Sequence, residues 1–165
     1  KDIKSSQYIK DLFNQEGEVV GVNAQIVSRS GSSSGIGFAI PINTAKKVIP
    51  SLISKKYYEH PYLGISGTDL IIELKKELNI PFEIQGIYVT DVVKNGPAIN
   101  SGLKEGDIIT SISNELSTSK VYTFSGLVNF LTENSNPGEE IKLTVIRDNE
   151  NVSIDINLGS RPLRN

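Results

Sequence analysis

The sequence predicts an α+β fold for residues 61–160, preceded by a shorter segment that is rich in β-structure. Five or six short strand-like runs and two helical patterns occur within this range. Turn signals separate them, among them Asn136-Pro137-Gly138. The total of 165 residues is enough for one ordinary domain or for a small domain with an appendage.

The N-terminal part is predicted to form two strands and a helix. Residues 18–27 are rich in β-branched side chains and predict a strand. The Ser/Gly-rich run at 28–37 predicts a loop, and residues 38–40 predict a short strand. Apolar residues at helical spacing predict a helix over 44–55, which Pro50 should kink or weaken by one turn.

The later part predicts short strands around two helices. Helices are expected over 69–78 and 123–133, where leucines recur one turn apart. A helical turn is expected at 97–101, closed by Gly102. The expected strands are 62–66, 86–93, 107–112, 140–146 and 152–158, the last two joined by a hairpin.

Composition excludes several classes of function. Seventeen Lys and Arg residues against nineteen Asp and Glu give a net charge of −2, so no basic field predicts nucleic acid as a partner. The absence of cysteine excludes disulfides and thiol catalysis, and the single histidine, His60, leaves no His-rich metal cluster. No apolar run approaches the roughly 18 residues of a membrane helix. We therefore expect no metal, no cofactor and no membrane insertion.

Three segments after residue 60 occur in a characteristic order. They are Tyr62-Leu63-Gly64-Ile65, then 95–98 (NGPA) leading into 101–109 (SGLKEGDII), then Pro137-Gly138 before 141–148. This order and spacing resemble a PDZ domain of the circularly permuted bacterial type over residues 61–160. The resemblance implies a small, partly open β-barrel with two helices that binds peptides.

Gly64 is the centre of the predicted peptide site. A glycine lets the backbone approach a ligand closely, and successive N–H groups around it can form a small anion-binding nest. A peptide's terminal carboxylate fits such a nest, while its last residues add a strand beside 65–68. At i, i+4 spacing Leu127 and Leu131 are typical of a core, and we assign Leu127 to the core and Leu131 to both core and site.

The resemblance to PDZ domains extends the site to the helix over 123–133. It implies that Leu63, Ile65 and Leu131 line the pocket for the last side chain of the peptide. It implies that Phe124 and Val128 face residues further back. The complete predicted peptide site is Tyr62, Leu63, Gly64, Ile65, Ser66, Phe124, Val128 and Leu131.

The first forty residues carry a second resemblance. Residues 12–23 (LFNQEGEVVGVN) and 34–41 (SGIGFAIP) resemble the end of an HtrA/DegP-type serine protease domain. In that family these strands close a chymotrypsin-like barrel, and a helix leads into the PDZ domain. The predicted organisation follows: terminal strands of an incomplete protease-like barrel at 1–41, a linker helix and linker at 42–60, the PDZ domain at 61–160 and a tail at 161–165.

The segment before Leu12 departs from the family pattern. A Gly-Asn-Ser-Gly-Gly-Pro motif, which supplies the nucleophile and oxyanion hole, precedes the Leu-Phe-Asn segment in the family. Here positions 6–11 read SQYIKD, with Tyr8 at the nucleophile's place and Ile9 and Lys10 in place of both glycines. Bulky side chains are poor substitutes where the backbone must turn tightly to present two N–H groups. We therefore expect no catalytic residue and no proteolytic activity in this chain.

The leading hypothesis is the PDZ peptide-binding module of an HtrA-like serine endopeptidase acting in protein quality control, which recognises apolar C-termini of unfolded or partner polypeptides. A piece of an active protease and a natural pseudoprotease remnant are both compatible with the residues. The alternative is an assembly role, as a homo-oligomer through residues 1–41, because strands without barrel partners leave backbone groups and apolar faces open. The resemblance implies an extracytoplasmic or cell-envelope location.

Overall fold

A computed structural model describes residues 11–26 and 37–162. Contacts within the chain divide it into two units, residues 1–58 (unit 1) and residues 59–165 (unit 2). The nucleophile position at Tyr8, most of the Ser/Gly loop and the last three residues of the tail lie outside the described residues.

Unit 1 contains a three-stranded antiparallel sheet and one helix. The strands are β1 (Asp11–Phe13), β2 (Val19–Ile26) and β3 (Gly37–Pro41), in the order β1-β2-β3, and helix α1 (Ile42–Lys55) packs against β2 and β3. The predicted strands and helix are confirmed, whereas β1 was not predicted. Helix α1 continues through Pro50, although proline removes one backbone hydrogen bond there.

Unit 1 buries very little of its apolar surface. Gly21 is the only buried residue among those described in this unit, and α1 has no buried residue at all. Large apolar side chains that are more than a third exposed occur on β1, β2, β3 and α1: Leu12, Phe13, Val20, Phe38, Ile40, Ile49, Leu52 and Ile53. The apolar stripe that predicts α1 is therefore present but uncovered.

Unit 2 contains a larger antiparallel sheet with three helices. Its elements are β4 (Pro61–Tyr62), β5 (Ile65–Asp69), α2 (Ile72–Glu77), β6 (Ile87–Val92), α3 (Pro97–Asn100), β7 (Ile108–Ser113), β8 (Thr118–Lys120), α4 (Phe124–Asn134), β9 (Glu140–Arg147), β10 (Glu150–Asn157) and β11 (Gly159–Ser160). The main sheet has the order β10-β9-β7-β6-β5, β8 pairs with β7, and β11 pairs with β4. The sheet does not close on itself, so the predicted partly open α+β fold is confirmed.

Two predicted elements of unit 2 have different bounds in the structure. The strand expected over 62–66 is interrupted after Tyr62, because Gly64 has φ +78° and cannot continue an extended strand. The helix expected over 69–78 is shorter, because Asp69 still belongs to β5 and Leu70 N–H donates to Gly86 O at 3.2 Å. The short elements β8 and β11 were not predicted.

The core of unit 2 lies between the main sheet and α4. Helix α4 contributes Leu127, Phe130 and Leu131, and the strands contribute alternating residues. The best-buried members are less than 2% exposed: Ile87, Val89, Ala98, Leu103, Ile109, Ile112, Leu127, Ile141, Leu143, Val145 and Ile156.

A buried ion pair fixes the turn before β7 to the end of β9. Asp107 is 1% exposed, and its two carboxylate oxygens accept hydrogen bonds from Arg147 Nε and Nη2, both at 2.7 Å. Lys104 N–H donates to the same carboxylate at 2.8 Å. The hydrogen bond to Asp107 raises the pKa of Arg147 above its ordinary value, so the guanidinium stays charged. A bidentate pair with this extra donor satisfies the buried carboxylate.

Candidate functional site

The connection between β4 and β5 is a tight loop that requires glycine. Gly64 has φ +78°, a conformation that side chains disfavour. A Cβ atom there would lie 3.3 Å from Tyr62 Cε1 and 3.5 Å from both Gly96 Cα and Pro97 Cδ. The loop is therefore pressed against the start of α3 and against the tyrosine ring.

The loop uses its carbonyl groups for anchoring and leaves its N–H groups open. Leu63 O accepts from Ala98 N–H at 3.0 Å, and Gly64 O accepts from Val93 N–H at 2.9 Å. Within the described part of the chain, neither Leu63 nor Gly64 donates a backbone hydrogen bond from its own N–H. These two donors are therefore unpaired within the described residues.

Strand β5 continues the same row of free groups. It is the last strand in the sheet order, and Ile65 pairs with Val92 of β6. Because Val93 N–H donates to Gly64 O, Ile65 and Val92 form a pair without mutual hydrogen bonds. The N–H and C=O groups of Ile65 therefore point to the open edge, where an added strand can bind them.

Helix α4 is held beside β5 by its N-terminus. Asp69, the last residue of β5, accepts a hydrogen bond on Oδ1 from Phe124 N–H at 2.6 Å. Thr123 caps the helix, with Oγ1 accepting from Gly126 N–H at 3.1 Å. The carboxylate also suits the positive end of the helix dipole. We call the space between β5 and α4 the groove. The hydrogen bond between Asp69 and Phe124 sets the distance between the strand and the helix at one end of it.

The structure brings most of the predicted site residues to this groove. Leu63 and Leu131 are 3% and 7% exposed and belong to one core cluster, against which Ile65 and Phe124 are packed half-buried. They form an apolar base beneath the loop. Val128 is 44% exposed on α4, one turn after Phe124.

The remaining two predicted residues occupy less central places. Ser66 is exposed on β5, and its neighbour Gly67 follows a register shift in the pairing with β6. Tyr62 packs beneath Gly64 and lines a separate cavity of about 640 Å³. That cavity is lined by residues from β4, from 93–97, 100–101 and 157–162, and none of them belongs to β5 or α4.

Sequence reasoning missed Asp69, Thr123 and Gly67. Thr123 directly before an apolar helical pattern is an N-cap signal that could have been used. Gly67 inside a strand signals a bulge or a close approach, and a Cβ there would lie 2.8 Å from Ile87 Cγ2 and 3.4 Å from the Phe124 ring. The role of Asp69 depends on a residue 55 positions away, so no local signal predicts it.

Two classes of site are not represented among residues 11–26 and 37–162. No group of three or more His, Cys, Asp or Glu side chains there could hold a metal ion. No helix in the same ranges is both long and apolar enough to cross a membrane.

Comparison with known proteins matches this arrangement. The family described as "PDZ domain" matches residues 61–158. A relative from Pseudomonas putida named "Probable periplasmic serine endoprotease DegP-like" is 36% identical over 157 residues, covering 92% of this chain and 30% of the relative. A relative from Haemophilus influenzae named "Probable periplasmic serine protease do/HhoA-like" is 33% identical over 147 residues, covering 89% of this chain and 30% of its own length. The chain thus spans about 30% of the length of these relatives.

Solved structures give the same result. "HtrA-type protease AlgW with decapeptide" has a TM-score of 0.73 at 33% identity and covers 90% of this chain and 44% of that one. "HtrA-type protease AlgW with tripeptide" has a TM-score of 0.72 at 32% identity and covers 93% and 49%. The resemblances to PDZ domains and to HtrA/DegP-type proteases are both confirmed.

Proposed function

The chain belongs to the PDZ domain family, and from this premise we propose that unit 2 binds the free, apolar C-terminus of a polypeptide in the groove between β5 and α4. It would serve as the recognition module of an HtrA-like serine endopeptidase and select unfolded or partner polypeptides. One observation carries the proposal: the N–H groups of Leu63 and Gly64 have no backbone acceptor among the described residues, and they directly precede Ile65 at the edge of the sheet.

This row of donors suits a terminal carboxylate. The loop presents N–H groups with no competing acceptor in the described residues, and the groups stay fixed because the carbonyls of Leu63 and Gly64 are anchored. Charge-assisted hydrogen bonds from amides are worth roughly 1.5–3 kcal/mol each. The peptide backbone would continue along Ile65 as an additional antiparallel strand.

Apolar side chains beside the donors favour an apolar last residue. Leu63, Ile65 and Leu131 surround the base of the groove, and Phe124 and Val128 lie further along α4. No charged side chain belongs to this set. Affinity should be micromolar, since a short peptide loses backbone entropy when it joins the sheet.

Amidating the peptide tests the carboxylate directly. We expect a peptide of about ten residues with an apolar C-terminus to bind, and its C-terminal amide to bind at least about tenfold more weakly, equivalent to roughly 1.4 kcal/mol. Isothermal titration calorimetry with the full chain measures both. The matched pair differs in one terminal group only, so equal affinities would mean that the loop does not hold a carboxylate.

The proposal includes no proteolytic role for this chain, and it fits a piece of an active protease as well as a pseudoprotease remnant. The relatives named as serine endoproteases are more than three times longer than the matched region. Tyr8 stands at the nucleophile's place, outside the described residues, and the chain contains no histidine before His60. The proposal for this chain is therefore peptide recognition without catalysis.

A second candidate function is assembly through residues 1–41. The observation that favours it is the set of exposed apolar side chains on β1, β2 and β3, such as Phe13 and Phe38 at 52% and 55% exposure. Sedimentation velocity over a range of concentrations tests it. If the assembly role holds, the full chain self-associates and residues 59–165 alone stay monomeric. Monomeric behaviour of both would exclude it.

A further inference from the structure

We propose that residues about six to nine positions before the C-terminus of a bound polypeptide contact a second, apolar subsite on the connection between β5 and β6. We call this surface the upstream patch, and it consists of Ile71, Ile72, Leu78 and Phe82. The inference rests on the proposed function, because it extends the same bound strand beyond the groove.

The direction of the bound strand leads to the patch. A peptide whose carboxylate lies at Gly64 must run antiparallel to β5, from Ile65 towards Asp69. The five residues of β5 pair with about five peptide residues at roughly 3.3 Å per residue. Helix α4 begins beside Asp69, as the hydrogen bond from Phe124 shows. The next peptide residue therefore leaves the groove at Asp69, where the β5–β6 connection begins.

The upstream patch is apolar and exposed. Ile71 is 56% exposed, Ile72 57%, Leu78 37% and Phe82 59%. Such a concentration of large apolar side chains in one connection exceeds the scattered single residues of an ordinary surface. It follows directly on the edge strand, because Ile71 N–H donates to Asp69 O at 2.9 Å.

A buried lysine holds the patch together. Lys75 is 7% exposed, its Nζ donates to Phe82 O at 3.0 Å, and its backbone N–H donates to Ile71 O at 3.0 Å. Ile71, Lys75 and Leu78 lie at helical spacing on one side of α2. Burial of an ammonium group is costly unless it is hydrogen-bonded, so this contact fixes the Phe82 segment against α2. The patch is formed before any ligand binds.

The size of the patch favours a peptide over a second copy of the chain. Four partly exposed side chains offer far less than the roughly 800 Å² per partner of a standard protein–protein interface. They are enough for one or two apolar side chains of an extended segment. The occupant is therefore the upstream part of the polypeptide whose C-terminus lies in the groove.

Three peptides with a common apolar C-terminal segment of about five residues test the inference. The first peptide consists of this segment alone. The second is extended at its N-terminus with serine and glycine. The third carries an extension with two apolar residues at the positions that would contact the upstream patch. With the full chain in fluorescence anisotropy, we expect the apolar extension to bind about fivefold more tightly than the serine extension. We expect the serine extension to match the short peptide.

The outcomes separate the two proposals. Equal binding of the apolar and serine extensions, with the short peptide also bound, overturns the upstream patch and leaves the groove intact. Binding of none of the three overturns the groove and the patch together. The three peptides share one C-terminus, so any difference in affinity between them comes from the upstream extension.

Two variants locate the effect. The double variant Ile72→Ser with Phe82→Ser should lose the fivefold advantage of the apolar extension and bind the serine extension unchanged. The matched control is Leu116→Ser, since Leu116 is 92% exposed in the turn between β7 and β8, and it should keep the advantage. Retention of the advantage by the double variant overturns the patch. Self-association of the wild type that disappears in the double variant also overturns it, in favour of a contact between copies.

Discussion

Helices α1 and α4 have the same kind of amphipathic sequence but differ in how many apolar residues they bury. Both carry apolar residues at helical spacing, and both pack beside an antiparallel sheet. Helix α4 buries Leu127, Phe130 and Leu131, whereas α1, although three residues longer, buries none. An amphipathic pattern therefore predicts a helix in both places, but only in unit 2 does the chain itself cover the apolar face.

Among the described residues, the buried apolar core lies in unit 2. Helix formation gains most of its stability from packing of the apolar face, and in unit 1 that contribution is smaller because no residue of α1 is fully buried. Unit 2 has a closed core that holds the loop around Gly64 and the edge of β5 in place. Unit 1 instead leaves large apolar side chains of its strands and helix exposed.

Paired isoleucine substitutions test this comparison with the largest expected effect. Ile109 of β7 is fully buried, and Ile49 of α1 is 48% exposed. Ile109→Ala should lower the free energy of unfolding of unit 2 by about 2–5 kcal/mol, because it removes buried methyl groups and leaves a cavity. Ile49→Ala should change it by less than about 0.5 kcal/mol. Denaturant titrations followed by the amide NMR signals of β7 and β9 measure both.

The two alanine variants remove the same atoms, so each controls for the other. A loss of similar size from both would show that α1 is covered by unit 2 and that the two units unfold together. The comparison between them would then be wrong.

The sequence predicted the class of fold because its signals are local. Alternating and helical patterns, together with the turn at 136–138, are read within short windows. The nest at Gly64 was predicted because this glycine belongs to a recognisable motif, whereas the interruption of the strand expected over 62–66 was not predicted. The contacts that shape the groove were not predicted.

Those contacts depend on residues far apart in the sequence. Asp69 and Phe124 are 55 positions apart, and the close packing at Gly67 involves Ile87 and the ring of Phe124. Leu131 was assigned to the core from its spacing and to the site from the resemblance to PDZ domains, and its 7% exposure agrees with a place in the core. Strand β8 has three polar, exposed residues and forms because β7 lies beside it, so no pattern of its own predicts it.

Two glycines with the same backbone conformation give a test with a smaller expected effect and a closely matched control. Gly64 in unit 2 has φ +78°, and Gly17 in the β1–β2 turn of unit 1 has φ +79°. Alanine in this conformation costs about 1–2 kcal/mol at either position. Around Gly64 a Cβ meets Tyr62 at 3.3 Å, whereas around Gly17 it meets nothing within 4 Å. The strain is therefore matched, and only the surroundings differ.

We expect Gly64→Ala to lower the stability of unit 2 by about 1–2 kcal/mol and to weaken peptide binding by about tenfold. The second effect follows because relief of the strain turns the free N–H groups of Leu63 and Gly64 away from their common direction. Gly17→Ala should leave both quantities unchanged, since its strain falls on a turn of unit 1. Calorimetric titration with the apolar peptide, together with amide NMR of unit 2, measures the two effects separately. If Gly64→Ala is destabilised but binds the peptide unchanged, the carboxylate binds elsewhere than on this loop. If Gly17→Ala lowers the stability of unit 2 equally, the two units unfold as one cooperative structure.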